Sequence, residues 1–302
     1  MEVQSPARSL SPTVLRSQLS FNDLLDKAAD AKEKAQLLSQ KGKGASQFLT
    51  LRPTDGYATL SDEEFHAVIR EYLGLSLAKR YLKGFRHCDC FRHPDLSDYH
   101  MQTCPWNKSK ARHDAVKRCL AAAAREAGLV VTDEPAVVPA FGGARAPANR
   151  TKLRADLLVQ LGGDQEVVID VTIVHPSVGD AGNVANVQRV TRHKTNKYDP
   201  HMHGHQLFTV AAMEYFGACA EGTQWILNAF KHAGEYNGRL EGARLRLFKM
   251  KWYQRLSMAL RKYAAKRSCL PSVVSAPKCF SLLCSLLLFF SRFLPFSSCS
   301  LF

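Results

Sequence analysis

Apolar positions recur at helical spacing in several stretches of the chain and at strand spacing in others. Ser61 is followed three positions later by Glu64, a capping-box signature. Phe65, Val68, Ile69, Tyr72 and Leu73 then repeat with a helical period, so a packing helix is expected within a helical segment over 46–80. Residues 109–126 read as a second helix that ends at Gly128, a suitable C′ residue. Beyond it the period shortens. Residues 130–138 are β-rich, and the apolar runs 154–160 and 166–174 are joined by Gly162-Gly163-Asp164, a hairpin signal. Residues 184–198 are expected to be helical, 206–213 a strand and 223–232 a helix. The resulting order α-β-β-β-α-β-α over 109–238 predicts an α/β core, a mixed sheet with helices on its faces.

The flanks have other patterns. Residues 1–45 are rich in Ser, Lys, Ala and Gln and are expected to form a flexible arm. Within that arm, Phe21-Asn22-Asp23-Leu24-Leu25 is a short amphipathic piece, and Lys41-Gly42-Lys43-Gly44 reads as a joint. Residues 239–268 are expected to be a basic helix: nine Lys/Arg and no acid lie between 243 and 268, with Leu247, Trp252, Leu256 and Leu260 as its apolar stripe. Residues 269–302 are an apolar low-complexity tail of Ser, Cys, Leu and Phe. Its 18-residue run over 279–296 approaches the length of a membrane span but contains Arg292 and Pro295. A tail anchor and a read-through extension both remain open for it.

Charge narrows the partners. Lys and Arg total 41 against 27 Asp and Glu, a net charge of +14 in 302 residues. A balance this basic points to a polyanion, either nucleic acid or an anionic membrane surface. The nine cysteines are odd in number and Met1-Glu2-Val3-Gln4-Ser5-Pro6 does not open a secretory signal. Disulfides are therefore not expected to organise the fold, and clustered cysteines read as metal ligands or core residues.

The cysteines cluster in 81–108, a segment too polar to build an apolar core. It reads His87-Cys88-Asp89-Cys90-Phe91-Arg92-His93 and then His100-Met101-Gln102-Thr103-Cys104. Zinc takes four thiolate or imidazole ligands in a tetrahedron, and His100 and Cys104 are one helical turn apart on one face. Cys88 and Cys90 form a tight first pair. His87 with Cys90 has the usual two-residue gap, so His87 is an alternative to Cys88, and His93 is a further candidate.

Two acids lie in the hairpin. Asp156 sits near the start of one strand, and Asp170 lies inside the apolar run Val167-Val168-Ile169-Asp170-Val171. A carboxylate in such a run requires a cation or hydrogen-bond partner. Together the two offer hard oxygen ligands for Mg²⁺ or Mn²⁺, an ion able to activate water and stabilise a phosphodiester transition state. A plain ion pair, with Arg154 for example, is the structural alternative. Lys194 and Lys197, three apart on the following helix with His193 and Tyr198 beside them, are candidates to hold the phosphate or orient water. Glu134, before Pro135, is a candidate third acid.

In combination these residues resemble a known family. The chain is similar to the C-terminal part of a site-specific non-LTR retrotransposon polyprotein, a zinc knuckle followed by a restriction-like endonuclease domain. Cys88 and Cys90, His100 and Cys104 resemble the family's Cys-Cys-His-Cys element. Ala111-Arg112-His113-Asp114-Ala115-Val116-Lys117 resembles its Arg-His-Asn stretch. Arg154-Ala155-Asp156, thirteen residues, then Asp170 resembles its Arg/Lys-Pro-Asp … Asp core. Lys194-x-x-Lys197-Tyr198 resembles its Lys-Tyr element. The resemblance covers roughly 47–235. It implies a variant of the PD-(D/E)-x-K nuclease fold, with Asp156 and Asp170 as metal ligands, a lysine role at Lys194 or Lys197, and a nuclear location. Ala155 replaces the usual Pro, Thr172 stands where many such enzymes carry the lysine, and no Tyr-x-Asp-Asp polymerase motif occurs, so the chain reads as this region detached from the polymerase.

The expected activity is thus a Mg²⁺-dependent DNA endonuclease that nicks one strand, with zinc in the knuckle and DNA, or also RNA, held by basic surface. No small-molecule cofactor is expected. A nucleic-acid-binding domain without catalysis is the first alternative, and a membrane-tethered basic protein, resting on 279–296 alone, is the second.

Overall fold

A computed structural model describes residues 21–28, 31–51, 59–75, 109–135, 154–176 and 185–268. The chain divides into two units, 29–270 and 1–28 together with 271–302. In the smaller unit the described residues are helical over 21–27, the position of the amphipathic piece. All other described residues belong to the larger unit. The knuckle over 81–108, with His87, Cys88, Cys90, His93, His100 and Cys104, lies outside the described residues, as does the tail over 269–302. Among the described residues no helix is long and apolar enough to cross a membrane.

The larger unit is a mixed α/β fold around one four-stranded sheet. Its elements are α1 (Ala31–Lys41), a 3-10 helix (Gln47–Thr50), α2 (Asp62–Tyr72), α3 (Ser109–Glu126), β1 (Val130–Asp133), β2 (Leu157–Gly162), β3 (Gln165–Val174), α4 (Ala185–Tyr198), a 3-10 turn (Asp199–His201), β4 (Gln206–Glu214), α5 (Glu221–Tyr236) and α6 (Gly242–Ser268). The sheet order is β1-β2-β3-β4. β1 and β2 are antiparallel, as are β2 and β3, while β3 and β4 run parallel with α4 as their crossover. The hairpin turns where Gly162-Gly163-Asp164 places it. β1 ends at Asp133, Glu134 beyond it takes a left-handed φ of 49° while still bonding to the opposite segment, and 136–138 of the stretch read as β-rich lie outside the described residues.

Alternation along the strands divides the core into two layers. Leu157, Val159, Val167, Ile169, Val171, Ala211 and Met213 face α3, α5 and α6. Val168, Val210 and Ala212 face the side of α4, where they meet Tyr198 and Val187. Val116, Cys119, Leu120, Ala123 and Ala124 on α3, with Ala127 just past its end, make a buried stripe of small and medium side chains. That helix stops in a Schellman arrangement: Leu129 N–H donates to the Ala124 carbonyl and Gly128 N–H to the Arg125 carbonyl, both at 3.0 Å. Gly128 takes the left-handed φ of 76° that this ending requires.

α2 begins with the capping box read from Ser61 and Glu64, each side chain accepting from the other's backbone N–H. It buries Ala67, Val68 and Ile69, whereas Phe65 and Leu73 stay exposed at the edges of the stripe. Two features differ from expectation. Within the stretch read as a flexible arm, Ala35 and Ala45 are fully buried. The Lys43 carbonyl accepts from Cys219 N–H at 2.8 Å, so the Lys41–Gly44 joint is docked onto the chain that follows β4. The second is α6. Its buried stripe is Phe248, Trp252, Leu256 and Leu260, spaced four apart, and Leu247 is 50% exposed. One residue turns a helix by about 100°, enough to move position 247 off the face that position 248 occupies.

Candidate active site

The parallel pairing of β3 with β4 buries the middle of β3 on both faces, and Asp170 lies there at 4% exposure. The antiparallel register sets Leu157 opposite Ile169, which brings Asp156, one residue earlier, level with Asp170. Backbone contacts hold it there: Asp156 N–H donates to the Ile169 carbonyl at 3.1 Å, and Val171 N–H donates to Asp156 Oδ2 at 2.6 Å. The Asp156 backbone and carboxylate thus straddle Asp170.

Three cations reach these acids and their neighbour Glu134. Lys194 Nζ on α4 donates to Asp170 Oδ2 at 2.6 Å. His113 on α3 places Nε2 3.1 Å from both Asp156 Oδ2 and the Val171 carbonyl, and Nδ1 3.3 Å from Asp114 Oδ1. Acceptors on both ring nitrogens favour the doubly protonated imidazolium. The hydrogen bond to Asp156 raises the His113 pKa above its ordinary 6.5 although burial opposes it; the charges of Asp156 and Asp114 add to the rise. Burial pushes Asp156 up, but His113 and the Val171 N–H outweigh it and hold the carboxyl below its ordinary 3.8. Lys117, one turn beyond His113, donates to Glu134 Oε1 at 2.8 Å. Burial lowers its pKa, and the bond to Glu134, with the charges of Glu134 and Asp156, raises it beyond that loss.

The sequence candidates therefore separate. Lys194 meets Asp170, and Asp156 lies level with Asp170 on the neighbouring segment. Glu134 N–H donates to the Asp156 carbonyl at 3.0 Å, yet the Glu134 carboxylate is turned to Lys117 and is 56% exposed. Lys197 lies with its ammonium 5.0 Å from the Tyr198 ring. Of the two lysines it is Lys194 that meets a carboxylate. His193 is exposed on α4. Tyr198 closes the α4 side: it stacks on Phe208 at 4.7 Å, and its hydroxyl donates to the Arg154 carbonyl at 2.8 Å. Burial, then the nearby charge of Asp170, pushes its phenol well above the ordinary value.

His113 and Lys117 are additions that sequence reasoning did not assign. Their signal is their spacing: four apart on α3, they share the face that meets the acids.

As a donor set the pair of carboxylates suits a hard divalent cation. The ion pairs and the Val171 contact use Oδ2 of each acid, and the Oδ1 atoms are the oxygens such an ion would take. Among the described residues no three His, Cys, Asp or Glu side chains are gathered as a metal cluster. Mg²⁺ characteristically binds through one or two carboxylates, with water and substrate oxygens completing its shell. The cysteines described, Cys119 and Cys219, are buried in the core and not joined in a disulfide, and burial pushes Cys219 up to about 12. In comparisons with known proteins the chain matches no family model and no curated protein sequence.

Proposed function

We propose that the chain is a metal-dependent DNA endonuclease of the restriction-like type, akin to the nuclease region of site-specific non-LTR retrotransposons. The observation that carries this reading is the buried Asp170 beside Asp156 on adjacent chain segments, with Lys194 2.6 Å from Asp170. Asp156 and Asp170 would hold Mg²⁺ or Mn²⁺, which supplies an activated water and offsets charge on the phosphate. Lys194 reaches in from α4 and stabilises the charge that develops on the transferring group. His113 holds Asp156 in place by occupying Oδ2, and Tyr198 with Phe208 walls the site from the α4 side. The basic surface binds the strand through its phosphates. In the knuckle, zinc is assigned to Cys88, Cys90, His100 and Cys104, with His87 as the alternative to Cys88. Metal analysis of the purified chain should find one zinc that is lost on Cys104→Ser.

A second reading is favoured by one specific observation. Both acids already meet a cationic partner, Lys194 and His113, so the same groups also suit a nucleic-acid-binding domain without catalysis, in which these ion pairs are structural.

A plasmid-nicking assay on the full chain, with Mg²⁺ or Mn²⁺ against EDTA, decides between them. The nuclease reading requires metal-dependent nicking that Asp170→Asn abolishes and that Lys194→Ala reduces roughly 10²–10³-fold. Salt-sensitive DNA binding without nicking in the wild type establishes the binding domain instead.

A further inference from the structure

One residue before His113, Arg112 stands on the first turn of α3 with its side chain buried at 7% exposure. Its guanidinium carbon lies 4.4 Å from the centroid of the Tyr215 ring. The ring face offsets part of the charge but leaves the in-plane N–H groups without acceptors. Nε and Nη1 are both buried and make no hydrogen bond. Arg261, also packed among aromatic rings and likewise unbonded at Nε, still finds two acceptors: Nη1 donates to the Glu71 carboxylate at 3.2 Å and Nη2 to the Phe216 carbonyl at 2.7 Å. Two guanidinium nitrogens buried without an acceptor carry a desolvation cost that an anion meeting the group would offset.

The surroundings select the same ligand. The first turn of α3 holds no acidic residue, and its leading N–H groups, unbonded within the helix, give that end a partial positive charge. Tyr215 N–H donates to the Val174 carbonyl at 2.8 Å, so the ring beneath Arg112 closes the C-terminal end of the parallel β3–β4 pair. Ligands of open α/β sheets bind outside that end of their strands. His113, next in the chain, touches Asp156 and the Val171 carbonyl, so the turn of α3 that carries Arg112 also reaches the segment that holds the carboxylates. Lys194 approaches Asp170 from α4, on the other face of the sheet.

We propose that Arg112 and the first turn of α3 form an anion site that takes a phosphate oxygen of the bound nucleic-acid strand, on the sheet face opposite Lys194. The nuclease reading supplies only the identity of the ligand; the anion site follows from the orphaned guanidinium.

The test uses the full chain as wild type, Arg112→Gln, Arg112→Lys and, as one fewer charge at the far end of the same helix, Arg125→Gln. Two quantities are measured without divalent metal. One is the rise in melting temperature in inorganic phosphate over chloride at equal ionic strength. The other is the Kd for a short DNA duplex across a salt series. Phosphate should stabilise the wild type and Arg125→Gln but not Arg112→Gln. Arg112→Gln should bind the duplex about tenfold more weakly, with the magnitude of its log–log salt slope reduced by about one. Arg112→Lys keeps the charge but loses the planar donors, so it should retain the slope and lose about threefold in affinity; it decides the matter if Arg112→Gln does not fold. Unchanged duplex affinity in the Arg112 variants overturns the proposal, as does an equal loss in Arg125→Gln. Arg112-dependent stabilisation by phosphate with no change in duplex binding also overturns it, since the site then takes free phosphate and not the strand. A wild type that never nicks sinks the nuclease reading and leaves these measurements intact; a nicking wild type with indifferent Arg112 variants sinks only the anion site.

Discussion

At the scale of single residues, Asp170 is the position most exposed to test. Lys194→Met removes its ammonium partner and leaves a buried carboxylate, which should lower unfolding free energy by roughly 1–3 kcal/mol. Adding Asp170→Asn to that variant should recover most of the loss, because the charge needing a partner is gone. If Asp170 binds metal, Mg²⁺ should raise the midpoint of Lys194→Met more than that of the wild type, measured by denaturant titration with and without the ion. Glu214, at the end of β4, gives a separate reading through pH. Burial raises its pKa above the ordinary 4.5, with Ser39 pulling weakly the other way. A carboxyl whose folded value is raised stabilises most when protonated, so its contribution falls as pH climbs from the unfolded value through the folded one. Glu214→Gln should therefore flatten the stability–pH curve just above 4.5 and raise stability at neutral pH. These residues also show how far sequence could see. An acid inside Val167–Val171 had to be compensated, and that made Asp170 legible. Which lysine compensates it depends on the phase of α4 over the sheet, and that separates Lys194 from Lys197. His113 meets Asp156 across 43 residues of sequence, a contact set by strand register and the docking of α3 that no local pattern encodes.

At the scale of elements, the well-read boundaries are those with a local chemical cause. Ser61 with Glu64 starts α2, Gly128 ends α3, and the glycine pair turns the hairpin. Where packing decides, local pattern is less exact: the stripe read on α6 has Trp252, Leu256 and Leu260 in the core as expected, but Phe248 takes the place given to Leu247. Glu134, just past β1, takes a backbone conformation that its side chain does not announce. Because that conformation is left-handed, Glu134→Val should be less stable than Glu134→Gly by about 1–2 kcal/mol in chemical denaturation. The entry to α5 is constrained differently. A Cβ on Gly222 would lie 2.3 Å from the Val210 carbonyl oxygen in β4, backbone that cannot swing aside. Gly222→Ala should therefore separate α5 from β4, seen as faster amide exchange in both elements at unchanged helix content.

At the scale of the whole molecule, Arg261 ties distant parts together. It is fully buried, bonded to Glu71 of α2 and the Phe216 carbonyl, and set against Phe48 and Tyr72. Tyr215 adds a hydroxyl bond to Glu71 at 2.8 Å. Arg261→Met should cost roughly 3–5 kcal/mol by leaving Glu71 as an uncompensated buried charge. Hydrogen exchange should show protection lost first in α2 and the 3-10 helix, with β3 and β4 affected only as global stability falls. The double variant with Glu71→Gln should be milder than Arg261→Met alone.

The span of that contact has a consequence during synthesis. Glu71 and Arg261 are 190 residues apart, and at ribosomal rates the interval between making them is about 10–40 s. Throughout it the Glu71 carboxylate lacks its guanidinium partner, and α2 lacks the packing that α6 supplies. The nascent chain must therefore carry α2 as an unfinished surface, open to chaperones and proteases, until α6 emerges and packs against it.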